Sequence, residues 1–394
     1  MPSENSSGHA EPSLWIAGLG SQYPPFIAGP EKFDSFAKSI YGTSNAGINQ
    51  LLKINKATGI ATRASINSYE SGFGRSEMPP TITEIGQMWR NGGVNLAVQA
   101  CKKALKEWGG EYSDVTHTIA VTCTDVTTPG YDLHVANKLG LKNDVKRMLL
   151  AGIGCAGGMT TMRVAAEIAS GATACKRPAR ILCFACEVCT LNARCNLDET
   201  SKTDPADVSV AGALFSDGAS AFVLCNDLGM EDPEAAVFKL LEWGNTTIPQ
   251  TAEYMGFCPS EKGFRTVLTG DVVSYTNDAM KPMFERLHPL AEQKEGHKIA
   301  QADFDWALHP EGSTIISGVQ QSLGLSSDQL RATKEIYKTR GNASSPTTVI
   351  VLDKLRNMGE GKDYVVAAAV GPGLNIEMSI LRRCRREDSD DEFA

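Results

Sequence analysis

The chain has 394 residues, 42% of them hydrophobic, which suits a globular protein with two core-bearing units of ordinary size and rules out disorder for the bulk of it. Its 38 basic against 46 acidic residues leave a net charge of −8 and argue against nucleic acid as the main partner. No apolar run reaches the ~18 residues of a membrane span. Residues 1–12 lack the apolar core of a signal peptide, and the 11 scattered cysteines suit reduced thiols, so a soluble, cytoplasmic protein is expected.

Residues 1–12 read as a disordered leader. Leu14-Trp15-Ile16-Ala17 opens a first strand that ends at Gly18-Leu19-Gly20. Tyr23 stands where a third glycine would complete a dinucleotide fingerprint, and Pro24-Pro25 follows where its helix would start. Lys53 and Lys56, three apart on a short polar helix, share a face; they are candidate phosphate contacts, with plain surface solvation as the competing reading. Apolar residues at helical spacing over 94–108 mark a helix stopped by Gly109-Gly110. A strand over 118–123, a loop, a helix through Ala136 and an extended segment over 145–150 follow.

They lead to Gly152-Ile153-Gly154-Cys155-Ala156-Gly157-Gly158, after which Met159, Met162, Ala165, Ala166 and Ala169 recur at helical spacing. A cysteine where a glycine-rich turn enters a buried helix sits at the positive end of the helix dipole, which stabilises a thiolate. Packing is the competing reading, because free cysteines are among the most buried side chains. A strand over 180–188 completes an α/β unit. Cys183, Cys186, Cys189 and Cys195 approach the ligand spacing of an iron–sulfur ferredoxin. In a strand, however, Cys183 and Cys186 point to opposite faces. An iron–sulfur electron carrier therefore stays as the remote alternative.

A turn over 214–219 feeds a strand over 220–225, and the charged stretch 231–234 suggests a boundary. The second half opens with a strand over 237–243, passes a polar region to Thr276 and carries a helix around 280–290. His309 ends a strand before a turn and helix, the edge where open α/β sheets place ligand sites; a structural histidine is the alternative. Asn342 lies in Gly341-Asn342-Ala343-Ser344-Ser345-Pro346, before a helix to Met358 with Ser345 as its N-cap; turn formation is the alternative. Strands over 364–370 and 375–381 flank Gly371-Pro372-Gly373, and the charged residues 382–394 read as a disordered tail.

Cys155 in Gly-Cys-Ala-Gly-Gly, His309 in Trp-Ala-Leu-His-Pro-Glu-Gly and Asn342 in Gly-Asn-Ala-Ser-Ser together resemble the Cys-His-Asn triad of type III polyketide synthases, the chalcone synthase-like family. Phe215 in Ala-Leu-Phe-Ser-Asp-Gly-Ala resembles the family's gatekeeping phenylalanine, and Gly371-Pro372-Gly373 its G-F-G-P-G loop, with Ala369-Val370 in place of the leading pair. The likeness covers residues 14–381. It implies an α/β protein of the thiolase fold, with duplicated halves in α-β-α-β-α layers and assembly as a homodimer. Residues 1–235 would carry the nucleophile and residues 236–394 the histidine and asparagine.

The resemblance further implies that Cys155 accepts an acyl group from coenzyme A, its thiolate paired with His309. His309 and Asn342 would then hydrogen-bond the malonyl thioester as carbon dioxide leaves. Coenzyme A thioesters are substrates in this scheme, and no metal or redox cofactor is required. At the implied cavity, Cys123 and Thr124 replace Thr and Ser, Thr128 replaces Met, Cys189 replaces Thr, and Thr266 replaces a second gatekeeping Phe, while Ser344 is kept. That set is similar to fungal members that elongate fatty acyl starters, implying alkylpyrones, alkylresorcinols or resorcylic acids. Lys53 and Lys56 lie near the family's coenzyme A contacts, and Glu311 stands where the family commonly has glycine. The alternative from the same chemistry is a β-ketoacyl-carrier-protein synthase III-like single condensation, against which His-Pro-x-Gly and Gly-Pro-Gly speak.

Overall fold

Nine segments rich in aliphatic and small residues pair into one mixed sheet in the computed structural model, which describes residues 12–70 and 72–384. The expected leader, apart from Pro12, and the expected tail beyond Cys384 lie outside those residues. In the first half, Leu14–Gln22 pairs antiparallel with Asp217–Asn226, which pairs antiparallel with Arg180–Val188. His117–Val121 and Lys146–Leu150 continue in parallel to the edge. In the second half, Phe238–Thr247 pairs antiparallel with Asn375–Arg383, which pairs antiparallel with Tyr364–Gly371, and Phe304–Leu308 continues in parallel. The second half thus repeats the first strand for strand, except for the added edge strand Lys146–Leu150. The halves join by a short antiparallel seam, Leu14 opposite Leu240 and Ile16 opposite Phe238.

Layering follows from the two-residue period of a strand, which sends alternate side chains to opposite faces. Cys183, Phe222, Val365 and Ala367 face inward, onto Met159, Met162 and Ala166 of helix Gly157–Ala174 and Val349, Ile350 and Leu352 of helix Thr347–Leu355. Their neighbours Leu182, Phe184 and Val223 face outward onto Trp89, Ala97 and Ala104 of helix Ile82–Trp108. On the other side Val366 and Ile380 meet Met283, Phe284 and Leu287 of helix Val272–Glu295. Two sheet halves therefore enclose a central pair of helices and carry further helices outside, the α-β-α-β-α layering of the thiolase fold.

Several elements depart from the sequence reading. Helix Ile82–Trp108 starts well before Val94, at a capping box formed by Thr81 and Glu84. Helix Val272–Glu295 also begins earlier: Val272 and Thr276 are β-branched and poor helix formers, but both are buried, and packing overrides propensity. The polar region before it contains a hairpin, Met255–Ser260 with Gly263–Leu268. Ser345 does not cap the last helix, which ends at Leu355; its hydroxyl donates to Glu187 at 2.5 Å, and Pro346 occupies the N-cap position. Arg382 and Arg383 belong to the final strand and not to a tail, because their charges pair with Glu295 and Asp305.

Glu377 on the final strand is buried and fixes the central helix to the sheet: Arg163 donates to both of its oxygens at 2.9 Å, and Thr160 donates at 3.1 Å. Glu377→Ala leaves the Arg163 guanidinium with only the exposed Glu167, 3.3 Å away, and is expected to lower unfolding free energy by about 3 kcal/mol, read by urea denaturation.

Candidate active site

The turn Gly154–Ala156 delivers Cys155 to the N-terminus of the central helix. Gly154 has φ 62°, and a Cβ there would lie 2.7 Å from the Pro372 ring; a Cβ on Gly371 would lie 2.6 Å from the Ile153 carbonyl oxygen. Both glycines let the 371–373 loop close against the cysteine turn. From the second half, the His309 N–H donates to the Ala368 carbonyl at 2.8 Å, and its Nδ1 lies 3.3 Å from the Thr348 hydroxyl. Asn342 is held by its N–H to the Leu214 carbonyl and by its own carbonyl, which accepts from Ser216, placing it beside Phe215.

These elements bring Cys155, His309 and Asn342 together. The Asn342 amide is turned towards the Cys155 sulfur and the His309 ring, while Nε2 of His309 has no hydrogen-bond partner of its own. The Ser344 hydroxyl lies 3.4 Å from the Cys155 sulfur and 3.7 Å from that of Cys123. Ser344 holds this position at φ 59°, where its N–H donates to the Asn342 side-chain oxygen at 2.7 Å. Glu311 completes the centre: one of its oxygens, the Cys155 sulfur and a His309 ring nitrogen lie within 4.8 Å of one another. Of the described His, Cys and acidic side chains, only these three converge in this way.

Burial dominates the electrostatics. It pushes the Cys155 thiol up, the nearby Glu311 charge adds to that, and the Ser344 hydrogen bond opposes it. Burial likewise pushes His309 down to about 3 and the Glu311 carboxyl up to about 8. Desolvation thus opposes charge on the thiol and on the imidazole alike. The helix dipole that the sequence reading relied on works towards a thiolate, and desolvation works against it.

A cavity opens above the sulfur, and Cys123, Cys189, Phe215, Thr266 and Ser344 line it as expected positions. Met255, Phe257, Val267 and Leu268 close one side. They come from the hairpin the sequence reading missed, although the apolar residues around Thr266 carried a weak strand signal. Thr124 and Thr128 are not part of this lining. Thr124 is buried behind it, accepting from Trp89 at 2.8 Å and donating to Glu187 at 2.6 Å, and Thr128 is exposed on its loop. Glu187, also unforeseen, accepts from Cys123, Thr122, Thr124 and Ser345, tying the Cys123 loop to the last helix.

A second cavity adjoins the first; Leu268 and Glu311 line both. Ile54, Ala57, Tyr337 and the start of helix Ser313–Ser322 form its walls. Lys53 and Lys56 are in neither lining: Lys53 is exposed, and Lys56 pairs with Asp34 at 3.2 Å. The four cysteines of ferredoxin-like spacing are dispersed. Cys183 donates to the Thr161 carbonyl and Cys186 to that of Gly93, Cys189 lines the cavity, and Cys195 lies by Ser260. No helix among the described residues is long and apolar enough to cross a membrane.

Comparison with known proteins places these features in one family. Residues 66–228 match the N-terminal domain of chalcone and stilbene synthases, and residues 240–385 match the C-terminal domain. The chain is 52% identical to the type III polyketide synthase pspB of Penicillium soppii over 96% of its own length and 98% of that protein. It is 35% identical to the acylalkylpyrone synthase csyB of Aspergillus oryzae, over 94% of each. The crystal structure of a fungal type III polyketide synthase, ORAS, superposes with a TM-score of 0.89 at 37% identity, covering 94% of this chain and 99% of that one.

The raised Glu311 carboxyl makes stability fall with pH: protonation favours the folded state, so stability present below the ordinary carboxylate range is lost as pH rises towards about 8. Glu311→Gln lacks this loss. Between pH 6 and pH 8 the variant should gain about 2 kcal/mol of unfolding free energy relative to the parent, measured by urea denaturation at both values.

Proposed function

The chain belongs to the chalcone and stilbene synthase family of type III polyketide synthases, and on that premise we propose that Cys155, His309 and Asn342 extend a long-chain fatty acyl-CoA starter with malonyl-CoA. Repeated decarboxylative condensation and cyclisation would then release alkylpyrones, alkylresorcinols or resorcylic acids. The convergence of the three side chains beneath an apolar cavity carries this reading. Likeness to an acylalkylpyrone synthase supports the product class.

In this mechanism the acyl-CoA thioester enters through the outer cavity, and Cys155 passes its proton to the open Nε2 of His309 as the sulfur attacks. Coenzyme A leaves with that proton. Malonyl-CoA follows; its carboxylate departs as carbon dioxide, and the electron pair moves onto the thioester oxygen, where His309 Nε2–H and the Asn342 amide donate hydrogen bonds. Because coenzyme A has taken the proton from Nε2, the neutral ring shifts its remaining proton from Nδ1 to Nε2 before malonyl-CoA reacts; the Thr348 hydroxyl accepts from Nδ1–H in the first tautomer and donates to bare Nδ1 in the second. The enolate carbon then attacks the acyl-Cys155 carbonyl, and the thiolate leaves. Cys123, Cys189, Phe215, Thr266 and Ser344 bound the growing chain, while Lys53 and Lys56 lie on the helix whose Ile54 and Ala57 wall the outer cavity. The exposed apolar side chains of Val126 and of Leu149 on the edge strand support a homodimer.

Incubation with labelled malonyl-CoA and starters from C2 to C18, followed by mass spectrometry, tests the reading. Fatty starters should give pyrones or resorcinols, and Cys155→Ala should lower product formation by about 10³-fold or more. A single-condensation product that needs a carrier protein would instead support the synthase III-like alternative. Thr266→Phe narrows the cavity and should cut kcat/KM for a C16 starter at least about tenfold relative to a C6 starter, read from initial rates.

A further inference from the structure

Among the described residues, Glu311 is the only carboxylate-bearing or basic side chain lining either cavity, and it lines both. It is 5% exposed, and neither carboxyl oxygen has a hydrogen-bond partner. A buried polar group without a partner costs free energy unless something else satisfies it. No described residue is within reach, so the partner is water or the ligand that occupies the passage. That passage leads to Cys155, and its last polar positions are the Cys155 sulfur, a His309 nitrogen and a Glu311 oxygen, all within 4.8 Å.

Resting on the polyketide reading, we propose that Glu311 is a further catalytic residue of the condensation: its neutral carboxyl donates a hydrogen bond to the thioester oxygen of the malonyl extender as enolate charge grows there. No proton is transferred. The bond between the α-carbon and the carboxylate breaks, carbon dioxide leaves, and the electron pair spreads onto the oxygen shared by Glu311, His309 and Asn342. The α-carbon then bonds to the acyl carbon as Cys155 leaves with the electrons of the carbon–sulfur bond.

The neutral state suits the surroundings. The ionisable groups facing Glu311 are Cys155 from the turn before the central helix, Cys123 and Cys189 across the inner cavity, His309 from its own loop and Tyr337 from helix Arg331–Arg340. The hairpin presents Leu268, helix Ala46–Ala57 presents Ile54 and Ala57, and the last loop presents the uncharged Asn342 and Ser344. No cation therefore holds Glu311 as a carboxylate, and burial raises its pKa to about 8. Ionisation would remove the donor, repel the malonyl carboxylate and oppose a thiolate at Cys155. Acyl loading brings no free carboxylate and is less exposed to this change.

The test separates the two half-reactions. Acyl loading is read as the mass of acyl-Cys155 after acyl-CoA alone, and condensation as product from preloaded enzyme with malonyl-CoA, between pH 6 and 9.5. Glu311→Leu should slow condensation about 10²-fold more than it slows loading. Glu311→Gln keeps an N–H donor, so it should restore most of that difference and abolish the parent's fall in condensation rate above about pH 8. Equal slowing of both half-reactions by Glu311→Leu, or condensation at the parent rate, overturns the proposal. Should Glu311→Leu not fold, Glu311→Gln decides alone: a high-pH limb retained as in the parent overturns the role, and its loss supports it. Failure of the parent itself to load or condense refutes the polyketide reading, whereas failure confined to the variants falls on Glu311.

Discussion

Everything at this site depends on how closely the two central helices approach at their N-termini. A Cβ on Gly158 would lie 2.4 Å from the Ser345 carbonyl oxygen, and one on Gly157 would lie 2.6 Å from a Val121 methyl and 3.0 Å from the Ser345 Cβ. Small residues at the start of one helix thus admit the backbone leading into the other. Because the halves repeat the same order of strands, their central helices begin at the same level. Cys155 precedes the first helix and Asn342 to Ser345 precede the second, so each half completes the other's site. The run of glycines after Cys155 serves this contact as much as it serves the cysteine.

That closeness makes the site dry, and dryness sets its chemistry. Removing water raises the thiol, lowers the imidazole and raises Glu311, so all three groups are pressed towards neutrality. A resting thiolate–imidazolium pair would place two charges in this environment before any substrate arrives. On the proposed function, the charge that develops on a bound thioester would meet donors that already stand in place. The polar groups behind the cavity are arranged in the opposite way. Glu187 is fully buried, but its oxygens accept from two backbone N–H groups and three hydroxyls, so it acts as an anchor. Two buried carboxyls therefore play different parts because one is saturated with donors and the other has none among the described residues.

Much of this was legible in the sequence. Glycines around Cys155, the strand end at His309 and the loop at Asn342 each mark a place where an element begins or ends, and the resemblance joined them. Strand Arg180–Val188 was readable to the residue because its apolar run is bounded by charge and turn. What escaped depends on tertiary context. The hairpin Met255–Ser260 with Gly263–Leu268 is half-exposed and gains meaning only as a wall of the cavity. Arg382 and Arg383 look like solvated charges until Glu295 and Asp305 are seen opposite them. Thr124 aligns with a cavity position but spends its hydroxyl on Trp89 and Glu187, a distinction that no motif encodes.

The composition of the two cavities bears on the order of events. Apart from Glu311, the inner wall offers thiols, two hydroxyls, an amide and apolar surface, a lining that binds an acyl chain through area buried and not through specific polar contacts. Such a wall discriminates weakly between chains that differ by one methylene, which is the behaviour needed where the same chain lengthens between turnovers. The extender is different, because malonyl-CoA carries a carboxylate that an apolar wall penalises until it leaves as carbon dioxide. Loss of that group turns a poorly solvated anion into a neutral gas and an enolate already met by donors. On the proposed function, the apolar wall that would hold the growing chain would also favour the decarboxylation that extends it.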